Sequence, residues 1–132
     1  LELAKEKSKE NPVYYVQYAH ARICSILEKA GVDNSKIEPD YKLLSSDFEL
    51  DLIKQISRLP EIVEDVSVNF AVQRLATYSM ELADSFHRFY ENCQVVGEKE
   101  DTMRARVALI TAAKISLENT LSLLGVSAPT KM

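Results

Sequence analysis

Three long segments of this chain repeat apolar residues every three or four positions, and none alternates them every second one. At about 100° per residue, Val16, Ala19, Ile23, Ile26, Leu27 and Ala30 fall on one face of a helix. Leu75, Ser79, Leu82, Phe86, Phe89 and Cys93 share a face of a second. Met103, Val107, Ile110, Ala113, Leu117, Leu121 and Leu124 line a third. A half-buried strand would need period two. Three glycines and four prolines in 132 residues are also too few for the turns of an all-β fold. The pattern predicts an all-α bundle of four to six helices, with most of the core supplied by these three.

Local punctuation sets the boundaries. Asn11-Pro12 is a helix start, because Asn caps free N–H groups and Pro suits the first helical position. That helix is expected to run to about Ala30, with Gly31 as its stop. Ser46 or Asp47 caps a shorter helix carrying Phe48, Leu52, Ile53 and Ile56, which Pro60 ends. A brief helix over 61–66 follows, then a long one from about Asn69 to Asn92. Asp101 or Thr102 starts the last helix; Gly125 closes it and Pro129 prevents its return. Residues 31–45, with Gly31, Asp33, Asn34, Pro39 and Asp40, read as a long polar connection of a length that often carries function. Residues 1–132 are expected to form a single domain, in which residues 1–10 continue an upstream element of a longer protein.

Composition excludes several classes. No run of 18 apolar residues could span a membrane as a helix. Cys24 and Cys93 lie far apart, without zinc-ligand spacing, and read as reduced thiols of a cytoplasmic protein. The net charge of −4 argues against broad, sequence-independent nucleic-acid binding, which a basic surface would drive. It leaves room for a local base-reading site. No Gly-rich phosphate loop, H-E-x-x-H, nucleophile elbow or acidic metal cluster occurs, so no catalytic residue and no metal ligand is assigned. His20 and His87 are isolated; His20 lies beside the apolar stripe and is expected to be packed.

A recognition surface remains. Residues 11–23, NPVYYVQYAHARI, hold three of the six tyrosines. A helix built only to fill a core would use Leu and Ile, since a buried Tyr needs a partner for its hydroxyl. Tyr15, Tyr18 and Arg22, three and four apart, form a stripe along the edge of the core face, anchored yet within reach of solvent. They could stack on and hydrogen-bond an unpaired base. Two other readings stay open: tyrosines that only cover the core, and an aromatic edge that docks a partner helix in an α-helical protein-interaction module. Tyr14 falls on another face and is not assigned.

The segment NPVYYVQYAHARI resembles the signature that opens the C-terminal domain of arginyl-tRNA synthetases. His87-Arg88-Phe89-Tyr90-Glu91-Asn92-Cys93 is similar to that family's F-Y-x-x-C segment. Residues 101–107, Ala112-Ala113, and the end from Leu121 to Gly125-Val126 and Ala128-Pro129-Thr130-Lys131-Met132 resemble its last helix and tail. These motifs cover nearly the whole chain in order. The resemblance implies the helical DALR-type anticodon-binding domain of a class I synthetase; a related synthetase's anticodon domain is the alternative. It implies that the domain receives the anticodon loop of arginine tRNA and reads its central cytosine. Tyr15 and Tyr18 would stack or hydrogen-bond, Arg22 would contact phosphate or a base edge, and Tyr90 and Met132 would wall one flipped-out base. Tyr90 lies close to the Phe86 stripe, so burial with only its hydroxyl exposed is the competing reading. The parent would be an ATP- and Mg-dependent ligase. Its nucleotide motifs are absent here, so this chain itself would be catalytically inert and bind no cofactor. Its partners would be tRNA and the parent catalytic domain, and it would be a monomer.

Overall fold

The computed structural model describes residues 2–8, 10–32 and 38–132. The stretch of the polar connection that holds Asp33 and Asn34 therefore lies outside the described residues. Five helices are described: α1 (Pro12–Ala30), α2 (Asp47–Ser57), α3 (Leu59–Asn69), α4 (Val72–Asn92) and α5 (Glu100–Leu123), with short 3-10 turns at Leu3–Lys5 and Tyr41–Leu43. No strand occurs among the described residues.

The caps follow from the sequence. Asn11 accepts from the N–H groups of Val13 and Tyr14 at 3.1 and 3.4 Å. Gly31 ends α1 at φ 58°, a left-handed conformation that costs glycine little, and donates its N–H to Leu27. Ser46 and Glu49 form a reciprocal capping box at the start of α2.

Pro60 follows the end of α2 at Ser57, as expected, but helical structure resumes at once. It sits in the first turn of α3, where its missing N–H has no intrahelical acceptor, so the chain passes through Arg58 and continues as a helix over 59–69. The helix expected over 61–66 is thus longer at both ends, and α4 starts at Val72 rather than near Asn69. Phe70 separates α3 from α4 with a left-handed φ of 55°. Phe is a poor residue for that conformation, so no sequence signal marked the break.

Side-chain pairs give the directions of the helices. Tyr15 meets Asp84 and Arg22 meets Tyr90, so α1 and α4 run parallel. Tyr78 meets Gln55 and Ser85 meets Asp51, so α2 runs antiparallel to α4. Gln17 meets Ser127 just past α5, so α5 returns alongside α1. The three expected core stripes converge in the middle: Ile23, Leu82, Phe86, Phe89, Ile110, Ala113 and Leu117 are fully buried. Cys93 is buried and Cys24 half-buried, and both are free thiols.

After α5 the chain reverses at Gly125, φ 71°, where Val126 N–H donates to Leu121 at 2.8 Å. The tail then crosses α1, with Val126 and Ala128 packed against the core. Gln17 donates to the Ser127 carbonyl at 2.8 Å, and His20 donates through Nδ1 to the Pro129 carbonyl at 2.9 Å. His20 is 1% exposed, packed as the sequence suggested, and its role is to hold the tail.

Candidate functional site

The parallel pairing of α1 and α4 leaves a furrow between the edge stripe of one and the polar flank of the other. It widens into a cleft of about 510 Å³. From α1 come Tyr15, Tyr18 and Arg22; from α4 come Asp84, His87, Arg88, Tyr90 and Glu91. Four of the five residues singled out in the sequence therefore share one cavity. Tyr90 is 38% exposed and lines the cleft, so the reading that buries all but its hydroxyl does not hold. One turn past Phe86, it leans on that buried ring at 6.2 Å between centroids and turns its other side outward. Met132 is not among the lining residues. It lies three residues past Pro129, whose carbonyl His20 holds, and is 53% exposed.

The aromatic rings form a connected set. The His87 imidazole lies 4.9 Å from the Tyr15 ring and 5.8 Å from the Tyr18 ring, the second pair nearly parallel at 24°. Tyr14 continues the row beyond Tyr18 at 6.5 Å and 15°. A base entering beside Tyr18 would meet flat surfaces already in place, which lowers the cost of ordering on binding.

Arg22 has an unusual environment. The chain contains six arginines. Arg58 pairs with Glu81, Arg74 with Asp65, Arg88 with Asp51, Arg104 with Glu100 and Arg106 with Glu49. Arg22 alone has no carboxylate partner among the described residues. Its guanidinium lies 4.6 Å from the Tyr90 ring centroid and 5.8 Å from that of Tyr18. Aromatic faces attract the cation but accept none of its N–H groups in the plane, so five donors in a fixed fork remain for a ligand.

Across the cleft Tyr15 donates its hydroxyl to Asp84 Oδ1 at 2.9 Å. Its phenol is pushed up to about 12, first by burial and then by the bond to Asp84 and the charges of Asp84 and Glu91. Tyr15 is therefore a neutral donor fixed on Asp84. The opposite side thus presents acceptors: the second oxygen of Asp84, and Glu91, which has no cationic partner among the described residues.

Sequence reasoning missed Asp84, His87, Arg88 and Glu91. Positions 84, 87, 88 and 91 share one flank of α4, so the grouping was visible. Their relevance was not, because only the packing of α1 beside α4 brings that flank to the tyrosine stripe. Among the described residues no cluster of His, Cys, Asp and Glu could hold a metal.

The profile of the DALR anticodon-binding domain matches residues 16–132. The chain belongs to the DALR anticodon-binding domain family. It is 48% identical to the arginine–tRNA ligase of Dehalococcoides mccartyi over 135 aligned positions, covering 100% of this chain and 24% of that enzyme. It is 45% identical to the arginine–tRNA ligase of Carboxydothermus hydrogenoformans, with the same coverages. Its fold matches the Thermus thermophilus arginyl-tRNA synthetase at a TM-score of 0.79 and 34% identity, over 89% of this chain and 21% of that one. The DALR chain thus spans about a quarter of the length of the curated relatives it matches. No described helix is long and apolar enough to cross a membrane.

Proposed function

We propose that this DALR domain is the anticodon-reading part of an arginine–tRNA ligase, and that the α1–α4 cleft receives an unstacked base of the anticodon loop of arginine tRNA. The observation that carries the reading is Arg22: a guanidinium held over the Tyr90 and Tyr18 rings with no carboxylate to neutralise it. Stacked aromatic and guanidinium planes are how unpaired RNA bases are held. Tyr18 and Tyr15 supply the stacking surface, Arg22 contacts a base edge or phosphate, and Tyr90 walls the far side. Met132, exposed at the end of the tail, is assigned to the same wall.

Arginine activation, with ATP and Mg, belongs to the part of the cytoplasmic ligase outside this chain, where the phosphate-binding motifs missing here must reside. Most phosphate contacts also come from outside, because a domain of net charge −4 offers no broad basic surface for them. The chain acts as a monomer beside its catalytic partner.

The test measures binding of an arginine-tRNA anticodon stem-loop to the full-length ligase. Tyr18→Ala and Arg22→Ala should each weaken it by about 1–3 kcal/mol. Unchanged affinity in both variants would overturn the assignment. A stoichiometric protein partner that survives nuclease treatment and is lost in the same variants would favour a protein-docking surface instead.

A further inference from the structure

The cleft is polar at both ends, and its ends differ. Along α1, Tyr15 and Arg22 are separated by seven residues, about 10 Å of helix rise. Asp84 marks the Tyr15 end, where it already accepts the phenol proton. The Arg22 guanidinium marks the other end, above Tyr90. Tyr18 and the nearly parallel His87 ring lie between. A rise of about that length matches one base ring with a hydrogen bond at each end. One end can only accept and the other can only donate.

Carboxylates are costly neighbours for a polyanion. Asp84 and Glu91 both line the cleft and repel any phosphate placed beside them. Arg88, the other cation there, is held by Asp51 at 3.0 Å. The anionic side is therefore compatible with RNA only where the ligand presents N–H groups to it. The Tyr15 hydroxyl does not compete, since its proton points at Asp84 Oδ1 and leaves the second carboxylate oxygen for a ligand.

We propose that Asp84 is a base-discriminating residue: its carboxylate, held by Tyr15, accepts from the exocyclic amino group of the unstacked base, while Arg22 donates to a ring nitrogen or carbonyl at the opposite end. Among pyrimidines this edge, an amino donor followed by acceptors, is that of cytosine. Uracil has nearly the same shape but places its O4 acceptor where the amino group would be, against the carboxylate. Glu91 adds to the same negative potential and disfavours the keto edge further. The inference rests on the anticodon reading of the cleft and assigns the source of its selectivity.

The experiment compares two anticodon stem-loops differing only by cytosine or uracil at the central anticodon position, titrated against the full-length ligase. The wild type should prefer cytosine by about 10- to 100-fold, the range of one hydrogen bond to a charged group. Asp84→Ala should reduce that ratio to about threefold or less, mostly by weakening the cytosine loop. Asp84→Asn should reduce it as well, because its amide accepts from Tyr15 and turns N–H groups toward the base. Asp84 is exposed, so neither variant removes core packing. Tyr18→Ala should weaken both loops equally. If Tyr18→Ala weakens both loops but the ratio survives in both Asp84 variants, this inference fails and the anticodon reading stands. If Tyr18→Ala and Arg22→Ala change neither loop, both fail.

Discussion

Arg22 and Arg106 stand at two junctions of the same bundle, and their surroundings differ in kind. Arg106 lies where α5, the start of α2 and the end of α4 meet. It donates to Glu49 Oε1 at 2.7 Å and to the Gln94 carbonyl at 2.6 Å, with Glu98 at 3.4 Å. Glu49 in turn accepts from the Ser45 and Ser46 N–H groups at 3.0 and 2.9 Å. Every charge at that junction is answered inside the protein. Arg22 lies at the α1–α4 junction against rings only. An arginine that holds a fold uses its donors within it; one that holds a ligand keeps them available. Sequence alone does not separate the two, since both sit on long helices beside apolar residues.

The largest effect expected from this contrast is on stability. Arg106→Ala leaves the Glu49 carboxylate, 1% exposed, without its cation, and should cost about 3–5 kcal/mol. Urea unfolding would show it as a lower midpoint with an unchanged slope. A loss below about 1 kcal/mol would mean that water relieves the junction and that the contrast is weaker than the geometry implies. Acid sharpens the point. Burial alone would raise the Glu49 carboxyl, but the Arg106 guanidinium and the Ser46 N–H and hydroxyl bring it below the usual 4.5. A lowered carboxyl contributes stability that is complete above that value and fades as the pH falls through the folded one. Wild type should therefore lose stability faster than Arg106→Ala as the pH drops below about 4.5.

Arg22 should show the opposite profile. Arg22→Lys keeps the charge but loses the plane that lies over Tyr90. We expect stability within about 1 kcal/mol of wild type and stem-loop binding by the full-length ligase weakened by about 1 kcal/mol. The salt dependence separates the terms. With Arg22 on a base edge, Arg22→Lys and Arg22→Ala should both leave the slope of log affinity against log salt unchanged. A slope shallower by about 0.7 in Arg22→Ala, one phosphate's worth for a single strand, would place Arg22 on phosphate and break the base-edge assignment.

What the sequence revealed follows the reach of each interaction. Period and caps are local, so Val16, Ala19 and Ile23, the Asn11 cap and the Gly31 stop could be read directly, and the structure agrees. The edge position of Tyr15, Tyr18 and Arg22 is also local to one helix. The break at Phe70 was hidden, because its left-handed backbone has no residue-type signal. The α4 half of the cleft was hidden for a different reason. Asp84 and His87 become a site only through the parallel pairing of α1 and α4, which the return of the chain through α2 and α3 decides. Tyr14 was set aside by helical phase, yet its ring extends the row from Tyr18, since a tyrosine reaches farther than its Cα direction suggests.

Tyr15 shares features of both regions, and the smallest expected effect tests which it resembles more. Like Arg106 it has an internal partner, Asp84; like Arg22 it faces the cleft. Tyr15→Phe keeps the ring beside His87 and removes only the hydroxyl, at a cost of about 0.5–1.5 kcal/mol. Alkaline titration identifies the bond. The Tyr15 and Tyr78 phenols are both raised to about 12, Tyr78 by burial and Tyr15 by burial together with Asp84 and Glu91. A raised acid contributes stability that is full below its unfolded value of 10.0 and is lost as the pH climbs toward 12. Tyrosinate absorbance should therefore show the Tyr15 and Tyr78 phenols ionising late in wild type, Tyr78 alone of the two in Tyr15→Phe, and both in Asp84→Asn, with Tyr15 moved partway back toward 10. If Asp84→Asn leaves both unmoved, burial alone holds the Tyr15 proton, and the carboxylate is not anchored by Tyr15 in the way the cleft's selectivity requires.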